Sequence, residues 1–384
     1  MKLGIYVHIP FCRQKCLYCD FPSFTTDSQL YSTYITALCR EATGRSGIFS
    51  HAVVDTVFIG GGTPTLLSQD LLNQILSCLR ENYRLSDEVE ITIEANPGTV
   101  DRAKLQTLQA QGVNRISFGV QTFAERLLPQ IGRIHSAAEA ARAVELAQAA
   151  GFDNINVDLM YGLPEQTVQD LQESIDRAIG MGVRHLSVYG LKIEEGTPFA
   201  SLHEQGRLAL PEEEIEEAMY ELAVHYLPAR GFRRYEISNY APAGWECRHN
   251  LKYWHYQPYL GLGLAAHSFF DGQRLANTVD LQRYIDFFSS TGGEKQEFPV
   301  AVVEKLDRET AMAEFTFLAL RTSNGVHIPE FNTCFAADFF SQYNKVITAL
   351  RRQKLLEVTE KNVRLTELGM KYGNVVFGAF LPDT

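Results

Sequence analysis

The sequence predicts an α/β protein: a partial (β/α)6 TIM-like barrel, then an α+β extension, then a small winged-helix-like helical domain. Three patterns predict it. Six short apolar runs alternate with amphipathic segments over the first 230 residues. Polar or glycine-rich residues stand at the ends of successive runs. After about residue 300 the alternation gives way to helices followed by a hairpin. Strands alternating with helices imply βαβ units and a parallel sheet. Six units are too few to close an eight-fold barrel, so a partial barrel is expected, with an open doubly wound sheet as the alternative.

The strand-like runs are Leu3–Ile9, Val53–Ile59, Val89–Ala95, Arg115–Gly119, Asn154–Leu159 and His185–Tyr189. Helical spacing shows between and after them. Leu71, Leu72, Ile75, Leu76 and Leu79 share one face, as do Ile215, Ala218, Met219, Leu222, Ala223 and Tyr226. Glu194 to Gly206 reads as a loop. Tyr235 to Tyr240 reads as one more strand, and Gly261 to Ser268 as a small, flexible stretch. In the tail, Met312, Phe315, Leu318 and Ala319 predict one helix, and Phe339, Phe340, Tyr343, Val346, Ile347 and Leu350 a second. Leu355–Val358 and Val363–Thr366 predict a β-hairpin. The expected divisions are 1–230, 231–300 and 301–384.

Composition excludes several classes. The chain has 384 residues with 45% hydrophobic and 21% charged, which is the make-up of a globular protein. Its net charge of −11 argues against a nucleic-acid partner, which wants a basic surface. Lys345, Arg351, Arg352 and Lys354 read as a solvated helix face. No run suits a membrane span or a secretory signal. Seven cysteines are an odd number for a disulfide framework, and together with the absent targeting segment they point to the cytoplasm.

Cys12, Cys16 and Cys19 form C-x3-C-x2-C directly after the first strand. A structural zinc site usually takes four ligands, often as paired C-x2-C units, and no second pair follows. An iron–sulfur cubane takes four ligands, so three thiolates leave one iron open. Gly60-Gly61-Gly62-Thr63-Pro64 follows the second strand and lacks the Lys-Ser/Thr ending of a P-loop. It reads as a tight turn or as backbone recognition of a polar ligand. Glu94, Gln121, Arg133 and Asp158 then offer directed hydrogen bonds to amine, carboxylate and ribose groups. A second dense cluster, Cys247-Arg248-His249-Asn250-Leu251-Lys252-Tyr253-Trp254-His255-Tyr256, combines His and Cys with flat aromatics, which suits either a sheet-edge core or a heme.

These residues resemble the radical S-adenosyl-L-methionine (SAM) proteins. YVHIPFCxxxCxYC and DLMYGLP narrow the resemblance to the oxygen-independent coproporphyrinogen III oxidase group, over nearly the whole chain. The resemblance implies a [4Fe–4S] cluster on Cys12, Cys16 and Cys19, with SAM chelating the fourth iron and being cleaved to methionine and a 5′-deoxyadenosyl radical on reduction. It implies SAM contacts at Gly62, Thr63, Pro64, Glu94, Gln121, Arg133 and Asp158, and places Tyr6 and Tyr18 beside the cofactor. The oxidases carry a fourth cysteine where this chain has Phe21, and an N-terminal extension ahead of the first strand. His249-Asn250-Leu251-Lys252-Tyr253-Trp254 is similar to the HNxxYW motif of HemW-type heme chaperones. That likeness implies heme as cargo and apo-hemoproteins as recipients, membrane-bound respiratory ones included. His249 is the first choice for a heme contact, with Cys247 and His267 behind it. The alternatives are the decarboxylating oxidase and a radical SAM enzyme with another substrate. A homodimer is compatible with cluster-dependent association.

Overall fold

The computed structural model describes residues 1–289 and 300–382. The last part of the expected 231–300 segment, residues 290–299, lies outside the described residues. Six parallel strands form the body: β1 (Lys2–Ile9), β2 (Val53–Gly61), β3 (Leu85–Ala95), β4 (Arg115–Gln121), β5 (Asn154–Tyr161) and β6 (His185–Gly190). They lie in sequence order. Between them run helices Gln29–Ser46, Gln69–Asn82, Arg102–Ala110, Ala137–Ala149 and Val168–Gly180, and Glu213–Tyr226 follows the sixth strand. The parallel array stays open, as the count of six units requires.

Local chemistry starts the helices. Ser68 and Asp101 accept the N–H of Leu71 and Lys104, and Ser136 and Thr167 each form a reciprocal capping box with Glu139 and Asp170. Period-two alternation sorts the strands into two faces. Leu3, Ile5, Val7, Ile59, Ile93, Ile116, Phe118, Val157 and Leu186 are buried in one apolar cluster with helical residues such as Leu38, Ile75, Leu105, Val144 and Ile175. The other face carries Tyr6, Thr56, Glu94, Arg115, Ser117, Asn156, Asp158 and His185, a polar lining for the concave side.

Both edges of this sheet are extended by residues after 230. Beyond β6 lie β7 (Arg233–Arg234) and β8 (Asn239–Ala241). Of the strand expected over Tyr235–Tyr240 only Asn239 and Tyr240 are in β8, and 235–238 form a bend between the two short strands. The intervening bend is held by Arg234, whose guanidinium Nε donates to the Ile237 carbonyl at 2.9 Å. Beside β1 lie β9 (Tyr259–Leu262, parallel to it), β10 (His267–Phe270), β11 (Gln273–Asn277) and β12 (Val300–Lys305). Gly261 to Ser268 is thus the end of β9, a turn over 263–266 and the start of β10. Glu194 to Gly206 likewise contains a short helix, Pro198–Glu204, whose N-cap Thr197 accepts the Ala200 N–H. Thr-Pro at that start is a cap followed by proline at the first helical position.

The tail folds around its own apolar cluster, with Phe315, Phe331, Phe339, Tyr343, Ile347, Leu350 and Val363 buried together. Helices Arg308–Leu320, Ile328–Phe335 and Phe339–Arg352 pack with a three-stranded sheet of β13 (Val326–His327), β14 (Leu356–Val358) and β15 (Asn362–Leu365), ordered β13-β15-β14. Among the described residues no helix is long and apolar enough to cross a membrane.

Candidate functional site

The C-terminal ends of β1 to β6 open into one cleft of about 480 Å³. Cys12, Cys16, Tyr18, Cys19, Gly62, Thr63, Glu94, Gln121, Arg133 and Asp158 all line it. Ten of the predicted site residues therefore meet in one place, as parallel α/β topology dictates for strand-end residues.

The cysteine loop is held from several sides. The Cys12 N–H donates to the Phe24 carbonyl at 2.9 Å, and the Leu17 N–H to that of Ile131 at 3.2 Å. All three thiols are free and partly exposed. Burial pushes the thiols of Cys12 and Cys19 up, so loading with metal must release protons. Among the described residues no three His, Cys, Asp or Glu side chains converge on a single-ion position. A cubane does not ask for that convergence, because each thiolate takes a different iron. The donor set, three free thiols on one loop facing a cleft, fits a cluster with one open corner.

A hydrogen-bond relay joins this loop to the strand ends. Arg133 Nη1 donates to Asn96 Oδ1 at 2.7 Å, and Asn96 Nδ2 donates to Thr63 Oγ1 at 2.9 Å. The Thr63 hydroxyl points to Cys12 Sγ at 3.8 Å. Arg133 Nη2 also donates to the Tyr18 hydroxyl at 3.2 Å. Among the described residues the Arg133 Nε is buried with no hydrogen-bond partner, an uncompensated donor of the kind an anionic ligand would satisfy. Gln121 adopts φ +71°, a conformation that costs a non-glycine residue energy and is held by its surroundings.

Two carboxyls sit deeper. Glu94 Oε2 accepts the Gly61 N–H at 3.0 Å, and burial, reinforced by the nearby Asp158, pushes its carboxyl up to about 8. Burial also raises the Asp158 carboxyl, which accepts from Asn156 Nδ2 at 2.7 Å and Ser117 Oγ at 3.3 Å. Such a pair can accept hydrogen bonds from amine or ribose hydroxyl donors.

The glycine loop serves these groups indirectly. A Cβ on Gly62 would lie 2.5 Å from the Phe11 carbonyl oxygen, and Gly61 holds φ +106° against the His8 ring. The N–H groups of Gly61, Gly62 and Thr63 go to Glu94, Ile9 and Phe11. The backbone donors that the sequence offers to a ligand are thus engaged internally. The loop's close approach fixes the cysteine loop and Glu94 instead.

Three predicted residues lie off the cleft. Pro64 is buried at the start of a short 3₁₀ turn. Tyr6 donates to or accepts from His8 Nδ1 at 2.9 Å. His249 is fully buried on the short helix Arg248–Trp254. Its Nδ1 meets the Thr56 hydroxyl at 2.8 Å, its Nε2 the Tyr253 hydroxyl at 2.8 Å, and its ring stacks on Phe58. Burial pushes its imidazole down to about 3. Neither ring nitrogen is left for an iron in this arrangement. Glu90 accepts the N–H of Arg248 and of His249, and Lys252 forms a buried ion pair with Asp55 at 2.7 Å. This helix closes the concave side at the end away from the cysteines, while Trp254 turns outward under the Arg321 guanidinium of the tail. Cys247 is buried beside it, and His267 is exposed on β10.

Asn96, Ser117, Tyr189 and Lys192 also line the cleft and were not singled out from sequence. The signal was present for Ser117, two residues before the strand end at Gly119 and on the same face. Tyr189 marks a sixth strand end like the other five.

Comparison with known proteins places the chain in a family. Residues 6–178 match the radical SAM superfamily and residues 306–371 the HemN C-terminal domain. The chain is 39% identical to a protein named heme chaperone HemW from Bacillus subtilis, covering 98% of this chain and 99% of that one. It is 40% identical to the Escherichia coli protein of the same name over 72% of this chain and 73% of that one. The solved structure of coproporphyrinogen III oxidase (HemN) from Escherichia coli superimposes with a TM-score of 0.85 at 24% identity, covering 98% of this chain and 89% of that one, which is a likeness of fold. With the matches reaching from the cysteine loop to the tail, the chain belongs to the HemW family of the radical SAM superfamily.

Proposed function

We propose that the chain is a heme chaperone that holds a [4Fe–4S] cluster on Cys12, Cys16 and Cys19, binds SAM in the adjoining cleft and passes heme to apo-hemoproteins. When bound, the cluster supplies an open iron and an electron. Arg133 would meet the SAM carboxylate, Glu94 and Asp158 its amine or ribose donors, and Thr63 and Tyr18 would steady the loop. The names of the curated relatives support heme as cargo. His249 has a structural role in this reading, because its ring nitrogens are spent in the core. The seven free cysteines support a reducing, cytoplasmic setting. Self-association to a homodimer on cluster loading belongs to the same reading.

The observation that carries the choice over the oxidase is Phe21. It is 60% exposed and lines the cleft two residues after Cys19, where the oxidases place a further thiol. The test is anaerobic reconstitution followed by two parallel assays. Supplied with coproporphyrinogen III, SAM and a reductant, the protein should form no protoporphyrinogen. Supplied with heme, it should show a saturable Soret shift that is lost on adding an apo-hemoprotein. Turnover to protoporphyrinogen overturns the proposal.

A further inference from the structure

Four cysteines lie outside the cofactor loop, and two of them are neighbours. Cys39 is on helix Gln29–Ser46, which follows the cysteine loop, and Cys78 is on helix Gln69–Asn82, which follows the glycine loop. Cys78 Sγ lies 3.5 Å from the Cys39 carbonyl oxygen, and Cys39 Sγ lies 3.9 Å from the carbonyl of Gln74, one turn before Cys78. Asn82 Nδ2 lies 3.7 Å from Cys78 Sγ. Both cysteines line an outward-facing recess of about 620 Å³ with Arg40, Thr43 and Glu81. The recess is on the outer helical layer, apart from the cofactor cleft. The remaining two cysteines are unlike this pair, with Cys247 wholly buried and Cys334 exposed.

We propose that Cys39 and Cys78 are a dithiol modification site that closes to a reversible disulfide by exchange with low-molecular-weight disulfides of the glutathione class. The thiolate of Cys78 attacks one sulfur of the small disulfide, whose S–S bond breaks and releases one thiol with the electron pair. Cys39 then loses its proton and attacks the Cys78 mixed disulfide, releasing the second small thiol. Two electrons and two protons pass from the protein pair to the small disulfide, so the exchange balances. The neighbouring Cys39 side chain pulls the Cys78 thiol down, which favours it as the attacking group. The product ties together the two helices whose preceding loops carry the cysteines and Thr63.

The experiment treats the cluster-loaded protein anaerobically with graded oxidised glutathione, alkylates the remaining thiols and locates linkages by fragmentation mass spectrometry. A Cys39–Cys78 linkage that dithiothreitol reverses is expected, with Cys334 carrying a glutathione adduct as the internal control. In Cys39→Ser, Cys78 should carry that adduct instead. Alkylated Cys39 and Cys78 beside a modified Cys334 would overturn the proposal, as would a linkage from Cys39 to Cys12, Cys16 or Cys19. Should the variant fail to fold, the wild-type linkage decides alone.

Discussion

Replacing His249 by alanine separates a core residue from an iron ligand. The substitution leaves the Thr56 and Tyr253 hydroxyls without their 2.8 Å partner, at roughly 1–3 kcal/mol for each buried group. It also removes the ring stacked on Phe58 at 5.4 Å, a contact of about 0.5–1.5 kcal/mol. The expected loss is about 4 kcal/mol, in the range for truncating a buried aromatic side chain. Urea unfolding followed by tryptophan fluorescence is a suitable assay, because Trp254 is on the same helix. The sign with pH is fixed by the depressed folded-state value. The folded imidazole stays neutral to about 3 while the unfolded one charges near 6.5. The wild type therefore loses this stability as pH falls through that window, and its advantage over the variant narrows there. A variant that unfolds like the wild type, yet loses the Soret shift and low-spin heme signal, would refute the core assignment.

Other outcomes follow from the same geometry. Cys16→Ala should cut bound iron after reconstitution to a small fraction of wild type, read by iron and sulfide assay, since two thiolates cannot replace three. Gly62→Ala forces a Cβ to within 2.5 Å of the Phe11 carbonyl; it should cost roughly 1–3 kcal/mol by overpacking and slow cluster loading. Glu94→Gln should flatten the pH dependence of apo-protein stability. A carboxyl raised from 4.5 to about 8 on folding makes the wild type lose stability as pH rises through that window, and the amide does not titrate. Parallel unfolding curves for the two proteins from pH 5 to 8 would contradict that.

The parallel strands were legible because each is a short run with apolar residues at alternate positions, set between stretches of helical spacing. Their ends were legible because polar and glycine residues do not otherwise cluster there. What escaped was short or set by distant partners. Tyr259–Leu262 is four residues long and owes its strand to pairing with Gly4–Val7, which no local pattern announces. The roles of the glycine loop escaped because its N–H groups find partners in Ile9 and Phe11, far away in sequence. His249 shows the limit on chemistry. His, Cys and Tyr in one run read equally as heme ligands or as a hydrogen-bonded core, and only the positions of Thr56 and Phe58 decide.

The placement of β1 has a consequence for synthesis. β1 is made before either of its neighbours and is an interior strand, flanked by β2 on one side and by β9 on the other. As the chain leaves the ribosome, β1 has its first neighbour once residue 61 has emerged but an open edge until residue 262 has emerged. At translation rates of about 5–20 residues per second that interval lasts on the order of 10–40 seconds. Throughout it the cysteine loop hangs from a strand with an unpaired edge, the element most exposed to mispairing. Iron delivered before β9 arrives would meet a loop whose supporting strand is incomplete.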